Sequence, residues 1–346
     1  MAILRVGVEE IISMAGVRLI VDVRSPSEFS HASVPGAINL PLFTDEERAV
    51  VGTAYKQESR ELAIKFGLDF FGPKMRKMVE EVESIVDNTK ADKTVYVHCW
   101  RGGMRSEAVA WLLDLYGFRV YLLQGGYKAF RQWIQLQFSK SYDLRVLGGN
   151  TGSGKTYLLH EMQNQGYMVI DIEGLASHKG SAFGNIGMPD QPSQEMFENL
   201  LGLQLYQKSK NNQPIWVEDE SQRIGHVNVP AIFWQNMSRS HLYFLDIPFE
   251  ERLNFLIGEY GSLDKERMIS AISRIQKRLG GLETNNAIQY LEEGNTKESF
   301  RILLKYYDKS YHKSLNKKEN IKDLLITIAC DKVDHSENVP KIFAKI

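Results

Sequence analysis

Apolar and polar positions along the chain alternate between two periods. Short apolar runs at Leu19–Val23, Val95–Cys99, Val120–Leu123, Leu144–Gly148, Met168–Ile172, Ile215–Val217 and Leu242–Ile247 have the length of buried strands. Helical spacing fills much of what lies between: Leu62, Phe66, Phe70 and Phe71; Glu107 to Tyr116; Ser193 to Gln207; and a helix opening at Phe249-Glu250-Glu251-Arg252. From Asp264 the pattern stays helical to Leu315, broken once at Gly280-Gly281. Strands alternating with helices predict an α/β chain with parallel sheets, followed by a helical C-terminal part.

With 346 residues the chain is long enough for two domains. No run of about 18 apolar residues occurs, so no membrane span is expected, and Arg5, Glu9 and Glu10 do not fit a signal peptide. Two cysteines, Cys99 and Cys330, exclude a disulfide framework and fit a reducing cytoplasm. The net charge of −1 leaves a nucleic-acid partner open, because a basic face can be balanced elsewhere.

The first chemical signal is His98-Cys99-Trp100-Arg101-Gly102-Gly103-Met104-Arg105-Ser106, a strand end, a glycine-containing loop and a helix start. A cysteine placed there meets backbone N–H groups and the positive end of a helix dipole, a field that favours the nucleophilic thiolate. Arg105 would complete an anion cradle. The plain alternative is a small buried cysteine after a core strand. Upstream, Asp22 and Arg24 are expected to form an ion pair that holds a loop. The segment Thr44 to Met78 reads as an insertion, in which Tyr55, Lys56 and Gly67 are candidate substrate contacts or local helix packing.

The second signal is Gly149-Asn150-Thr151-Gly152-Ser153-Gly154-Lys155-Thr156, a match to G-x-x-x-x-G-K-[ST] between a strand and a helix. Its backbone wraps a phosphate, Lys155 adds charge, and Thr156 can hold Mg²⁺. The polar loop after Met168–Ile172 makes Asp171, Glu173, His178 and Lys179 candidate substrate contacts, with Arg252 further on. The strand ending in Glu218-Asp219-Glu220 offers the acid that positions Mg²⁺, with Glu218 and Asp219 as candidates. Lys297, Arg301, Lys305 and Lys309 recur every fourth residue, on one side of a helix, where they would either meet RNA phosphates or form an ordinary solvated face.

The order Asp22-Val23-Arg24, Glu28-Phe29, Val34 to Pro41, the Cys99 loop and Gln124-Gly125-Gly126-Tyr127 resembles the rhodanese family. That resemblance implies a sulfurtransferase-type α/β domain over residues 1–138, with Cys99 carrying sulfur or selenium. Five residues separate Cys99 from Arg105 where rhodaneses commonly have four, which keeps a phosphatase or arsenate-reductase reading open. Residues 139–346 then form a P-loop NTPase-like parallel-sheet domain, helical from about 264. Together with Gly52 to Gln57, Glu173 to Ser181 and Val217 to Ser221, the two loops make the chain similar to the bacterial tRNA 2-selenouridine synthases. This implies a cytoplasmic transferase acting on the wobble 2-thiouridine of a tRNA anticodon loop. It would geranylate the sulfur from geranyl diphosphate, then exchange the S-geranyl group for selenium from selenophosphate, with selenophosphate synthetase as a possible supplier. Trp100 and Arg101 join the substrate candidates. The alternatives are an ATP-dependent RNA sulfurtransferase or kinase with a rhodanese carrier domain, and a nucleotide-gated binding protein.

Overall fold

A computed structural model of the chain describes residues 3–89, 92–261 and 264–345. The chain divides into two compact units, one ending at Leu136 and the other beginning at Gln137.

The first unit is built on a five-stranded parallel sheet of β1 (Leu4–Val6), β2 (Leu19–Asp22), β3 (Ile38–Asn39), β4 (Thr94–His98) and β5 (Arg119–Leu123), in the order β1-β5-β4-β2-β3. β4 is central and buried along its whole length, as its Val95 and Val97 require. Between β3 and β4 run three α-helices, Asp45–Gln57, Arg60–Phe71 and Met75–Thr89. Thr44 and Glu47 start the first by a reciprocal capping box, with Glu47 N–H donating to Thr44 Oγ1 at 3.2 Å and Thr44 N–H donating to Glu47 at 2.8 Å.

The segment 44–78 read as an insertion holds the first two of these helices and the start of the third. Its third helix continues to Thr89 and buries Met78, Val79, Val82 and Val86 against the sheet. It is the crossover that a parallel connection into β4 needs. The polar helix Asp45–Gln57 has Ala54 as its buried residue, so it carries little apolar periodicity to read.

The second unit holds β6 (Leu144–Gly149), β7 (Met168–Ile170), β8 (Ile215–Glu218), a small antiparallel pair β9 (Arg223–Ile224) and β10 (Val227–Asn228), then β11 (His241–Asp246) and β12 (Leu325–Ala329). Its main sheet is parallel, in the order β12-β11-β6-β8-β7, with β6 central. Helix Lys155–Asn164 follows β6, and Ser193 caps helix Gln194–Ser209 by accepting from Met196 N–H at 3.1 Å. Helices Lys265–Arg274, Gln276–Leu279, Gly281–Glu292 and Thr296–Leu315 follow helix Phe249–Tyr260. Met268, Ile272, Leu291, Phe300, Leu303 and Leu304 from this group close on Leu253, Leu256 and Phe183.

The C-terminal part is not helical throughout. The β-branched Ile326-Thr327-Ile328 return the chain to the sheet as β12, parallel to β11. Helix His335–Phe343 then buries Val339 and Ile342 on the side of helix Lys155–Asn164.

In the first unit one turn fixes the loop after β4. Gly126 has φ +62°, and a Cβ there would lie 2.4 Å from the Cys99 carbonyl oxygen. The close approach lets Tyr127 N–H donate to Cys99 O at 2.8 Å and Lys128 N–H to Trp100 O at 2.9 Å. Gly126→Ala is therefore expected to destabilise this unit by roughly 2–5 kcal/mol, combining left-handed strain and overpacking. A lower urea midpoint for the unit checks this, and an unchanged midpoint would contradict the geometry.

Candidate active site

The Cys99 loop joins β4 to helix Met104–Tyr116, whose N-cap is Gly103. Cys99 is 3 % exposed, and the Ser106 hydroxyl lies 3.2 Å from its Sγ and 3.0 Å from Gly103 O. The sulfur thus sits inside the loop, at the helix N-terminus. Trp100 is half-buried and tilts against Tyr127 at 5.7 Å between centroids, whereas Arg101 is exposed.

Arg105 reaches Glu28, with Nη1 2.8 Å from Oε2. The same carboxylate takes Arg48 at 2.9 Å and Ser25 N–H at 3.1 Å. Burial pushes the Glu28 carboxyl up, but Arg105, the Ser25 N–H and Arg48 outweigh it and bring it down to about 2. Beneath the loop, Asp22 and Arg24 form a fully buried ion pair, and Arg24 stacks 3.8 Å above the Tyr127 ring. That matches the structural role expected of the pair. His98 beside it is fully buried, and burial lowers its pKa. Tyr55 and Lys56 are exposed on the insertion, and Gly67 lies against the Phe43 ring.

In the second unit, Gly149 and Thr151 to Thr156 line a cavity of about 1020 Å³, while Asn150 is buried below it. Gly152 and Gly154 have φ of +80° and +70°, which lets the backbone curl at the head of helix Lys155–Asn164. Lys155 Nζ lies 3.1 Å from Gly149 O. Asp171, Glu173, His178 and Lys179 line the same cavity, as the strand-end argument expected of substrate contacts. His178 is buried, and burial together with His226 and Arg274 lowers its pKa. The far wall is apolar and aromatic, with Phe183, Tyr260, Phe300, Leu303 and Leu304.

Carboxylates crowd the phosphate loop. Thr156 Oγ1 donates to Glu173 at 3.3 Å, and Glu173 N–H donates to Glu218 at 2.8 Å. Burial and then Glu218 raise the Glu173 carboxyl to about 7. Burial and Asp171 raise Glu218, and burial and Glu173 raise Glu220, both well above the usual range. Glu218 Oε2 is buried without a hydrogen-bond partner. A cation such as Mg²⁺ would fit this cluster of hard oxygen atoms, and Thr156 and Glu173 would hold it, with Glu218 beside Glu173. Among the described residues no three acid, histidine or cysteine side chains form a ready metal cage. Mg²⁺ characteristically takes one or two carboxylates and completes its shell with water and substrate phosphates.

Two of the expected site residues are engaged by protein partners. Asp219 lines the cavity, where the Tyr311 hydroxyl donates to it at 2.7 Å and Lys318 pairs with it. Arg252 is 3 % exposed and does not line the cavity. Its guanidinium pairs with Asp308 at 2.9 and 2.7 Å and also donates to Ile247 O and Thr151 O. It braces the phosphate loop from behind and is not in a position to contact substrate.

The basic side of helix Thr296–Leu315 is interrupted. Lys305 and Lys309 are exposed, and Lys297 is exposed with Asn254 3.3 Å away, but Arg301 is held by Glu250 and Glu298. Residues not singled out from sequence are Ser106, Glu28, Tyr311, Lys318 and the aromatic wall. Only Glu28 had a local signal, the Ser-x-x-Glu spacing from Ser25.

Comparison with known proteins gives a consistent picture. Residues 142–327 match the family described as tRNA 2-selenouridine synthase AAA domain, and residues 8–132 match the rhodanese-like domain. A tRNA 2-selenouridine synthase of Nitrosomonas eutropha is 34% identical, over 87% of this chain and 89% of its own. The Nitrosomonas europaea protein of the same name is 40% identical over 70% of this chain and 63% of its own. That of a Sulfurovum species is 35% identical over 84% and 87%.

Two outcomes follow from this geometry. A carboxyl held at about 2 when folded, against an ordinary 4.5, contributes stability that is fully present above pH ~4.5 and lost as pH falls through about 2. Glu28→Gln should therefore lose less stability than the parent across that window, as acid-unfolding curves would show. Arg252→Ala should cost on the order of 3 kcal/mol by leaving the half-buried Asp308 unpaired, the low end for such a pair because Asp308 keeps some solvent, and Asp308→Asn should destabilise in the same direction. A direct substrate contact at Arg252 would instead weaken diphosphate binding and leave the ligand-free Tm unchanged.

Proposed function

The chain belongs to the tRNA 2-selenouridine synthase family and is a tRNA-modifying enzyme, and we propose that it works on the wobble 2-thiouridine in two steps, one in each unit. In the first step the thiocarbonyl sulfur attacks C1 of geranyl diphosphate. The carbon–oxygen bond breaks, pyrophosphate leaves with the electron pair, and the base loses its N3 proton. In the second step selenium of selenophosphate attacks C2 of the base and expels the geranyl thiolate. Water takes up the phosphoryl group as phosphate, and 2-selenouridine results.

The observation that carries the first step is that the phosphate loop shares its cavity with an apolar cluster. A diphosphate on Gly149 to Thr156 would share that space with Phe183, Phe300, Leu303 and Leu304, which offer hydrocarbon for a prenyl tail. Lys155 would balance the charge that builds on the departing pyrophosphate. Mg²⁺, held by Thr156 and Glu173, would supply further charge neutralisation there. Cys99, with Ser106 on its sulfur and Arg105 set by Glu28, would serve the selenium step. Lys305 and Lys309 are exposed for tRNA phosphates. The reaction suits the cytoplasm, where thiols stay reduced, and selenophosphate synthetase would supply the selenium donor.

The test is to incubate the protein with 2-thiouridine-containing tRNA, Mg²⁺ and geranyl diphosphate, then weigh the digested nucleosides. A geranyl mass increase supports the reading. An ATP-dependent change in place of it would assign the phosphate loop to a nucleotide. Lys155→Ala is expected to lower geranylation by about 10²-fold or more, as loss of one charge-stabilising group does. Cys99→Ala should geranylate normally and accumulate the S-geranyl nucleoside when selenophosphate is added. Equal loss of geranylation in both folded variants would refute the division of labour.

A further inference from the structure

The cavity beside the phosphate loop has an apolar side, and that side has a defined construction. It begins at the loop itself, because a Cβ on Gly152 would lie 2.9 Å from Leu256 Cγ. Leu256 belongs to the same apolar cluster as Phe183, Phe300, Leu303 and Leu304. These four line the cavity and are 4 %, 4 %, 2 % and 1 % exposed, so each presents only a small, tightly packed surface to it. Three rings pack together there. Phe183 and Phe300 lie 5.8 Å apart between centroids, Tyr260 lies 6.1 Å from Phe300, and Tyr260 lies 6.3 Å from Phe183. On the phosphate side, Lys179 Nζ sits 5.4 Å from the Tyr260 ring centroid, which marks where the polar wall gives way to the apolar one.

This side is also braced. The segment that carries Phe183 is held by Tyr307, whose hydroxyl accepts from Ala182 N–H at 3.2 Å, and by Arg274, which donates to Ala182 O at 2.9 Å. A packed wall of this kind does not stretch to admit extra carbons, and overfilling it forces side chains off their rotamers.

We propose that Phe183, Tyr260 and Phe300 are the ruler that sets the length of the prenyl chain, and that they select a short prenyl diphosphate over a longer one. The proposal rests on the reading of the phosphate loop as a prenyl-diphosphate site. A phenyl ring occupies about the space of one isoprenoid unit, so removal of one ring opens room for one unit more. Pocket contacts of this size discriminate substrates by about 10–200-fold.

The test compares kcat/KM for geranyl and farnesyl diphosphate on 2-thiouridine-containing tRNA. Phe300→Ala and Phe183→Ala should each raise the farnesyl-to-geranyl ratio on the order of tenfold or more. A folded variant with an unchanged ratio overturns the ruler. Both rings are core residues, so the parent protein is also photolabelled with a geranyl diphosphate that carries a terminal diazirine. Labels on Phe183, Tyr260, Phe300, Leu303 or Leu304 support the proposal, and labels confined elsewhere overturn it even if the variants fail to fold. Failure of the parent to form any S-geranyl nucleoside overturns the prenyl-diphosphate reading itself, and the ruler with it. The parent's own product therefore separates the two failures.

Discussion

The second unit depends on the ion pair between the buried Arg252 and the half-buried Asp308. It links helix Phe249–Tyr260 to helix Thr296–Leu315 and, through Thr151 O, links both to the phosphate loop. Four of the five N–H donors of this guanidinium are used: Nε on Ile247 O, Nη1 on Thr151 O and Asp308, and Nη2 on Asp308. A pair of this kind gains little over an apolar pair of the same shape, yet any arrangement that leaves one partner behind is penalised. Its consequence here is placement. The helix that carries Phe300, Leu303 and Leu304 is fixed relative to the loop that would hold a diphosphate, so the cavity has one depth.

How much of this was readable from sequence depends on how far apart the partners lie along the chain. The phosphate loop was legible because strand, glycines and helix are contiguous from Leu144 to Asn164. The Cys99 loop was legible for the same reason. Arg252 and Asp308 are 56 residues apart, and Asp219 and Lys318 are 99 apart, so nothing local shows that these charges are paired with each other. That is why Arg252 read as a substrate contact and Asp219 as a metal acid. The regular spacing of Lys297, Arg301, Lys305 and Lys309 was correct as helix geometry, but it could not show that Glu250 occupies Arg301. β12 was missed because the helical pattern before it ends without a break as strong as Gly280-Gly281, and its own five residues are only partly buried.

The acids around Thr156 impose a second constraint. Asp171, Glu173, Glu218 and Glu220 cannot all be ionised in so small a space, and burial with mutual repulsion raises the carboxyls of Glu173, Glu218 and Glu220. A diphosphate brought to the loop adds negative charge to this group, and Lys155 alone does not offset it. Binding therefore requires a cation, protonated acids, or both. A divalent ion held between Thr156, Glu173 and phosphate oxygens would lower the repulsion on both sides at once. The acidic crowding and the phosphate loop thus form one electrostatic unit.

Both units place their reactive loop after the central strand of a parallel sheet and before a helix N-terminus: β4 delivers Cys99, and β6 delivers Gly149. Strand ends of this kind converge backbone N–H groups on one point. The two loops nevertheless differ in access, and the difference follows from what each presents. The phosphate loop presents backbone and opens onto a cavity of about 1020 Å³. The Cys99 loop presents a single oxidisable sulfur and keeps it buried under Trp100 to Gly103, with Ser106 as its hydrogen-bond partner. One unit thus offers an open cradle and the other a shielded thiol.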